Sequence, residues 1–590
     1  MSHAPLSESE VDLSQAKVRP PGAREFTLRG VLVAMAVAAV IGSAYPYVVL
    51  KLGFGPNIAV VSAFFGWLAL AAISRGGALR WESNLAQAAG TVAGQTAFMC
   101  VVLAAFDILI ADGTIGAEHS FSPWQTFAWL TSAGMLGVFM AVPLRRHFIV
   151  DEKLPFPDGL AAGETLIVLD SRGAQARTAI QSMIAGLASS ALVTWAYMRA
   201  WIAEIVVIPV NSYSALTGVG FSWGLLTIGS GMIIGVRICA NMFVGMALSW
   251  VIAPVLLSDS GVLAPGFSKR DLLLWVMWPA TGMMVAGGLT ALFLNWRVLA
   301  RTFKNLSGAS ADPDELSLRW VAVGSVLSVI AIVLIQHFAL GMPIWEVLLA
   351  LVLTIPLMLV GLRVLGETNW GPISALSNLM QGVFGAVAPG NIPTNMAASG
   401  LTGTVAATSE GLVQSYKTGD MIGSKPRYLA YVQLMAVPIG AGATAIVYPL
   451  LRQQYGFTGE NALPSPISQK WVGFAKLLGK GIESIHESAL WALGVGIVLG
   501  ILFTVLEQRK SIRTWVPSPT GIGIGMLVPG FYVTSMFVGA CIEWAFRRRD
   551  PKGTEGWMLP LASGFIAGEA LIVVILSLLY AAGAMNPVGH

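Results

Sequence analysis

The sequence predicts an all-α polytopic membrane protein of about 16 transmembrane helices (14 to 16, depending on how the long spans are cut), built as two homologous repeats with re-entrant or broken helices. Three observations predict it. Of 590 residues, 55% are apolar and only 11% charged, with mean hydropathy +0.72, which excludes a soluble globe. The charges gather between uncharged stretches long enough to cross a hydrocarbon core about 30 Å thick as helices. A window in the second half of the chain repeats one in the first.

The elements follow in order. Residues 1–25 are polar, carry Glu8, Glu10, Asp12, Pro20 and Pro21, and contain no apolar core of a secretory signal, so a disordered cytoplasmic tail is expected. A first transmembrane repeat, 26–300, holds apolar spans near 27–50, 56–74, 84–110, 124–143, 178–202, 219–257 and 272–294. The 219–257 span is about twice what one helix needs, and Gly235 and Arg237 near its middle predict a break. After a linker, 301–317, a second repeat, 318–583, holds spans near 318–340, 343–362, 372–388, 392–416, 428–451, 487–506, 517–544 and 557–583.

Duplication is carried by Gly229–Trp250, which aligns without gaps on Gly523–Trp544 at an offset of 294 with eight of 22 positions identical, Gly231/Gly525, Met242/Met536 and Phe243/Phe537 among them. Pro279 and Gly282 match Pro560 and Gly564, and Glu82-Ser83-Asn84 matches Glu367-Thr368-Asn369. Duplicated halves are how secondary transporters build a substrate site near the membrane midplane. Basic residues at Arg24/Arg29, Arg75/Arg80, Arg145/Arg146/Lys153 and Arg297/Arg301/Lys304 place the N-terminus and the linker in the cytoplasm and favour parallel halves, although Arg547–Arg549 object.

Polar groups inside apolar spans are functional hypotheses by default, because the bilayer makes them expensive. Glu82, Asn84 and Gln87 open the third span, where Glu82 either serves the pathway or pairs with Arg80 or Arg75 at the interface; Glu367 beside Arg363 carries the same ambiguity. Pro143–Glu164 reads as a basic interface followed by a segment too short to span, hence a re-entrant half-helix whose Asp158, Gly159 and Glu164 line a cavity, or else an interfacial helix capped by Asp158. Residues 389–427 carry Asn391, Asn395, Ser399, Thr402, Thr404, Thr408, Ser409, Glu410 and Gln414 among Gly and Ala, either as a binding stretch or as small-residue helix packing. Lys417, Lys425 and Arg427 with Gly419 and Gly423 form a basic turn facing an anionic group or anchoring the interface. Glu569 lies inside the last span, where a buried carboxyl is suited to carrying a proton. Asp107, Glu204, Arg237 and His337 read as snorkelled or paired.

Other function classes are set aside. A net charge of +4 spread over short loops leaves no nucleic-acid footprint, and Cys100, Cys239 and Cys541 form neither a disulfide framework nor a zinc site. No cofactor motif, HExxH or P-loop is present, so neither an enzyme nor an ATP-driven pump is expected; a passive channel is a remote alternative.

The motifs together resemble the oligopeptide transporter family, on its prokaryotic and yellow stripe-like side. Glu82-Ser83-Asn84 with Gln87 is similar to its Glu-Asn-Asn and following Gln, with Ser83 departing from the central Asn. PLRRHFIVDEKLPFPDGLAAGE, YKTGDMIGSKPR and SGFIAGE are similar to its basic Pro-x-Gly signature, lysine-glycine turn and final helix, in family order. Asn-Pro-Gly and Lys-Ile-Pro-Pro-Arg elements of the eukaryotic peptide branch are lacking. The resemblance implies a multi-pass plasma-membrane protein, in the inner membrane of a prokaryote, that takes up short peptides or metal chelates with protons. A homodimer rests on analogy alone. Expected solute residues are Asn391, Asn395, Ser399, Thr402, Ser409, Glu410 and Gln414 with Asn84 and Gln87; expected proton carriers are Glu164, Glu410 and Glu569. Lys417 and Arg427 are expected to attract a solute carboxylate, and no resident metal site is expected.

Overall fold

The computed structural model describes residues 24–53, 58–73, 80–170, 174–294, 314–368, 371–457, 462–480, 486–509, 511–513 and 515–585. Most of these residues are helical, with a two-stranded antiparallel ribbon of Ile205–Val207 and Gly220–Ser222. The expected tail and most of the linker, with Arg75, Arg297, Arg301, Lys304, Asn369 and the side chain of Glu367, lie outside the described residues. Among those described, ten helices are long and apolar enough to cross a bilayer. Six further segments form short helices: Ile58–Ile73, Pro157–Asp170, Leu225–Ile234, Ile373–Val387, Pro466–Lys480 and Pro519–Leu527. At 1.5 Å per residue each covers only about 14–24 Å, too little to span alone.

Gly235 does break the long span, at φ 86°, between Leu225–Ile234 and Val236–Met246. The repeated windows pack directly on each other and exchange partners. Gly231 abuts the Met536 carbonyl while Gly525 abuts that of Met242; Gly245 abuts the Ile522 carbonyl while Gly539 abuts that of Ile228. Phe243 and Phe537 meet with ring centroids 5.1 Å apart. Gly282 and Gly564 likewise approach backbone, at Leu493 and Met183. In each case glycine allows two helices to touch main chain to main chain, a contact that any Cβ would block.

Two hairpins are built alike. In Pro155-Phe156-Pro157 and Pro464-Ser465-Pro466 the middle residue is left-handed, at φ 42° and 37°, a strained conformation for a residue with a side chain. The Phe156 amide donates to Gly366 O at 3.2 Å and the Ser465 amide to Leu50 O at 2.8 Å. Each hairpin thus launches a short helix from the C-terminal part of a long one, Ile344–Thr368 or Leu28–Leu52.

Direction distinguishes the halves. Arg80–Phe98 and Ile392–Ile422 cross antiparallel, with Asn84 beside Gly419, Gln95 beside Gly411 and Val102 beside Gly400. Ile58–Ile73 runs back along the first of these, from Gly94 to Ala86, and Pro157–Asp170 ends at Arg80, 3.7 Å from Asp170. Pro466–Lys480 runs the opposite way, to Asp112, which pairs with Lys476. Glu82 opens one helix whereas Glu367 closes another, so that sequence match does not join equivalent positions.

Candidate functional site

A cavity of about 280 Å³ lies midway along the crossing of these helices. Five helices begin at its wall: Ile58, Asp158, Ile373 with Ser374, Pro466 with Ile467, and Thr520 all stand in first turns, and Lys470 follows one turn after Pro466. Unsatisfied amides make helix starts partially positive. Thr91, Gln95 and Gln414 contribute polar atoms from the crossing pair, and Tyr45, Phe98, Met284 and Ile524 contribute apolar surface. This is the composition of a small-molecule site: concave, mostly apolar, with a few convergent polar groups.

Charge at this site is divided. Lys470 is only 6% exposed and donates to the Ser374 hydroxyl, which also accepts from Trp471 Nε1 at 3.0 Å. Glu410 is 3% exposed, and its carboxylate packs against Gly371 of the cavity wall. Its Oε1 has no hydrogen-bond partner among the described residues. Asp158 lies within electrostatic reach of Glu410.

The residues singled out from sequence separate into three groups. Gln414 and Asp158 line the cavity and Glu410 stands directly behind its wall. Glu164 is half-buried six residues beyond Asp158 and does not line the cavity, and Gly159 packs on the Gln414 carbonyl. A second group makes hydrogen bonds within or between helices. Asn391 is exposed and caps its helix by accepting from the Thr394 amide at 3.1 Å. Asn395 donates to Gln381 O at 2.6 Å, and Ser399 to Met396 O at 2.9 Å. Thr402 meets Thr354 at 2.9 Å, and Ser409 donates to Gly137 O at 2.8 Å. Gln87 donates to Thr91 at 3.0 Å.

The third group marks one end of the bundle. Asn84 donates to Ser424 at 2.9 Å. Glu82 takes the ion-pair alternative, with Arg29 at 2.8 Å. Lys425 binds Asp314 at 2.9 Å, and Arg427 reaches the Tyr428 hydroxyl at 3.4 Å. Lys417 lies on the face packed against Gly159.

Glu569 belongs to a different buried cluster. It receives Lys51 Nζ at 2.9 Å and the Leu226 amide at 2.9 Å. Lys51 also reaches the Tyr47 hydroxyl at 2.8 Å and Glu204 at 3.3 Å, with its ammonium 4.5 Å from the Tyr532 ring centroid. The other lone polar groups are satisfied too: Asp107 by Arg452 at 3.0 Å, Arg237 by Glu507 at 2.9 Å, and His337 by Met342 O at 3.0 Å.

Sequence reasoning missed Lys51, Lys470, Ser374 and Gln95. A signal for Lys470 was present: Pro464-Ser465-Pro466 echoes the Pro155-Phe156-Pro157 already read as the start of a half-helix. Among the described residues, no three His, Cys, Asp or Glu side chains gather as a metal site.

The chain is similar to known proteins over most of its length. The family model described as "OPT oligopeptide transporter protein" matches residues 25–580. The chain is 22% identical to a "Putative oligopeptide transporter" of Saccharomyces cerevisiae, over 84% of this chain and 86% of the relative. It is 22% identical to a "Probable metal-nicotianamine transporter" of Oryza sativa subsp. japonica over 99% and 94%. It is 25% identical to a "Putative oligopeptide transporter" of Haemophilus influenzae over 85% and 87%.

Proposed function

Because the chain belongs to the oligopeptide transporter family, we propose that it is a secondary active transporter carrying short peptides or peptide-like solutes across the plasma membrane by proton-coupled symport. The observation that carries this reading is the convergence of helix starts from both halves, running to opposite ends of the bundle, on one polar cavity. Halves of opposite orientation around a midplane site let either side open while the same residues hold the solute.

The exchange of partners across the 294-residue offset supports reading 26–300 and 318–583 as repeats. Their opposed directions favour inverted over parallel halves, against the lysine and arginine count. That count includes Arg29, Arg80 and Arg145, which pair with Glu82, Asp170 and Glu315 and so need not report on a leaflet.

Glu410 is the proton carrier in this reading, because its carboxylate stands at the cavity wall with an unsatisfied oxygen. Glu569 is tied to Lys51 and is better suited to holding the halves together. Gln414 contacts the solute directly. Lys417 and Arg427 stand along the route from the Gly423 turn, where they draw in anionic groups.

The relatives named for metal-nicotianamine favour a second reading, a carrier of metal chelates. The metal would then arrive wrapped by its chelator, which itself presents carboxylates and amines. Uptake into proteoliposomes tests both. A labelled dipeptide is expected to accumulate only under an inward proton gradient, and Glu410→Gln to abolish that dependence. Accumulation that ignores the gradient in both proteins contradicts the coupling. Competition of the labelled dipeptide by an iron(II) chelate separates the two solutes.

A further inference from the structure

Burying an ionised group without a counter-charge is among the most expensive arrangements a protein can make, and inside a bilayer no bulk water offsets it. Two buried ionisable groups stand at the cavity, one in its lining and one behind its wall. Lys470 has the Ser374 hydroxyl as its hydrogen-bond partner and no carboxylate within 4.0 Å among the described residues. Glu410 is equally enclosed and leaves Oε1 unsatisfied among the described residues. Lys470 lines the cavity, Glu410 stands directly behind its Gly371 wall, and the two do not pair with each other.

A solute with both signs of charge would complete both groups at once. Resting on the transporter reading above, we propose that the cavity takes a zwitterion with a free carboxylate, the carboxylate bound by Lys470 and Ser374 and the ammonium by Glu410 and Asp158. The helix starting at Pro466 presents Lys470 one turn beyond its start, so the amides of that start and the ammonium favour an anion together. The Ser374 hydroxyl, already accepting from Trp471 Nε1 and Lys470, can turn its proton toward a carboxylate oxygen. Glu410 and Asp158 concentrate negative charge on the other side of the division. Size agrees: about 280 Å³ lies at the low edge of ~300–1,000 Å³ ligand pockets, which suits a dipeptide better than a long peptide.

Thermal-shift titration of the purified full-length protein tests the assignment with three probes: alanyl-alanine, its C-terminal amide and its N-acetyl derivative. Wild type is expected to bind the free dipeptide at least tenfold more tightly than either derivative. Lys470→Met and the milder Ser374→Ala should reduce the preference for free acid over amide while keeping the preference for free amine over N-acetyl. Glu410→Gln should do the reverse.

A Lys470→Met protein of unchanged melting temperature that still prefers the acid tenfold overturns the proposal. Equal binding of acid and amide by wild type overturns the carboxylate assignment and leaves peptide transport standing. Failure of all three probes, with iron(II)–nicotianamine also inert, overturns both. If only iron(II)–nicotianamine stabilises wild type, its loss in Lys470→Met supports the same subsite with the carboxylate supplied by a chelate; retention overturns it.

Discussion

Lys51 and Lys470 are both buried, 1% and 6% exposed, yet their surroundings are opposite. Lys51 is enclosed by Glu569, Glu204, Tyr47 and the Tyr532 ring, so its charge is neutralised and its protons are occupied. It ties the first long helix to the last and, through Glu569, to the start of Leu225–Ile234. Lys470 faces a cavity with one hydroxyl. The difference separates a charge spent on architecture from one held ready for a solute: the first is costly to remove, the second costly to keep.

The largest test of that contrast is stability. Removing one partner of a buried ion pair costs ~3–5 kcal/mol, so Lys51→Met should melt well below wild type in detergent. Lys470→Met, which deletes an uncompensated charge, should melt at or above it. Equal losses would erase the distinction.

A packing control on the helix that Glu569 caps comes next. Gly231→Leu drives a side chain into the Met536 carbonyl, and its counterpart Gly525→Leu into that of Met242. Each should cost ~1–3 kcal/mol or more from overpacking, and similar losses at the two positions would sharpen the twofold account. A large loss at one alone would break it.

Double-mutant cycles probe coupling directly. Lys51→Met with Glu569→Gln should show an interaction of ~1–3 kcal/mol, and Lys470→Met with Glu410→Gln less than ~0.5 kcal/mol without solute.

The smallest effect is expected at the basic turn. Asp314, ahead of Leu318–Leu340, is held below the ordinary carboxyl value by its hydrogen bond from Lys425 and then by the charges of Lys425, Arg427 and Arg145. A carboxyl lowered by folding adds stability above its unfolded value, ~3.9, that is lost as pH falls through the folded one. Both partners are over a third exposed, so Asp314→Asn should cost no more than ~1 kcal/mol at pH 7. Its difference from wild type should fade below about pH 4 in melting curves.

Local chemistry made part of this legible in the sequence. Gly235 broke its span because glycine tolerates φ 86°, and the half-helix after Pro157 followed from proline punctuation. Gln414, Glu410 and Asp158 stood out as polar groups among small residues, and they surround the cavity. Asn391, Asn395, Ser399 and Ser409 carried the same signal, and each makes a cap or carbonyl hydrogen bond that composition does not foretell. Lys51 lies at the end of an apolar span, where a lysine reads as an interfacial anchor. Its acids are 153 and 518 residues away, a pairing that tertiary structure alone creates. Lys470 escaped notice because the amphipathic stretch around it is too short and polar to read as a membrane helix. Half orientation depended on counting charges, several of which face other protein groups rather than a leaflet.

The central claim, that a wet solute cavity lies between the halves, is tested most directly at Gln414. With Cys100, Cys239 and Cys541 replaced by alanine, Gln414→Cys in proteoliposomes should react with a membrane-impermeant maleimide, and alanyl-alanine should slow the reaction. A Gln414→Cys that stays unlabelled from both faces, while a cysteine at exposed Asn391 reacts readily, would contradict it.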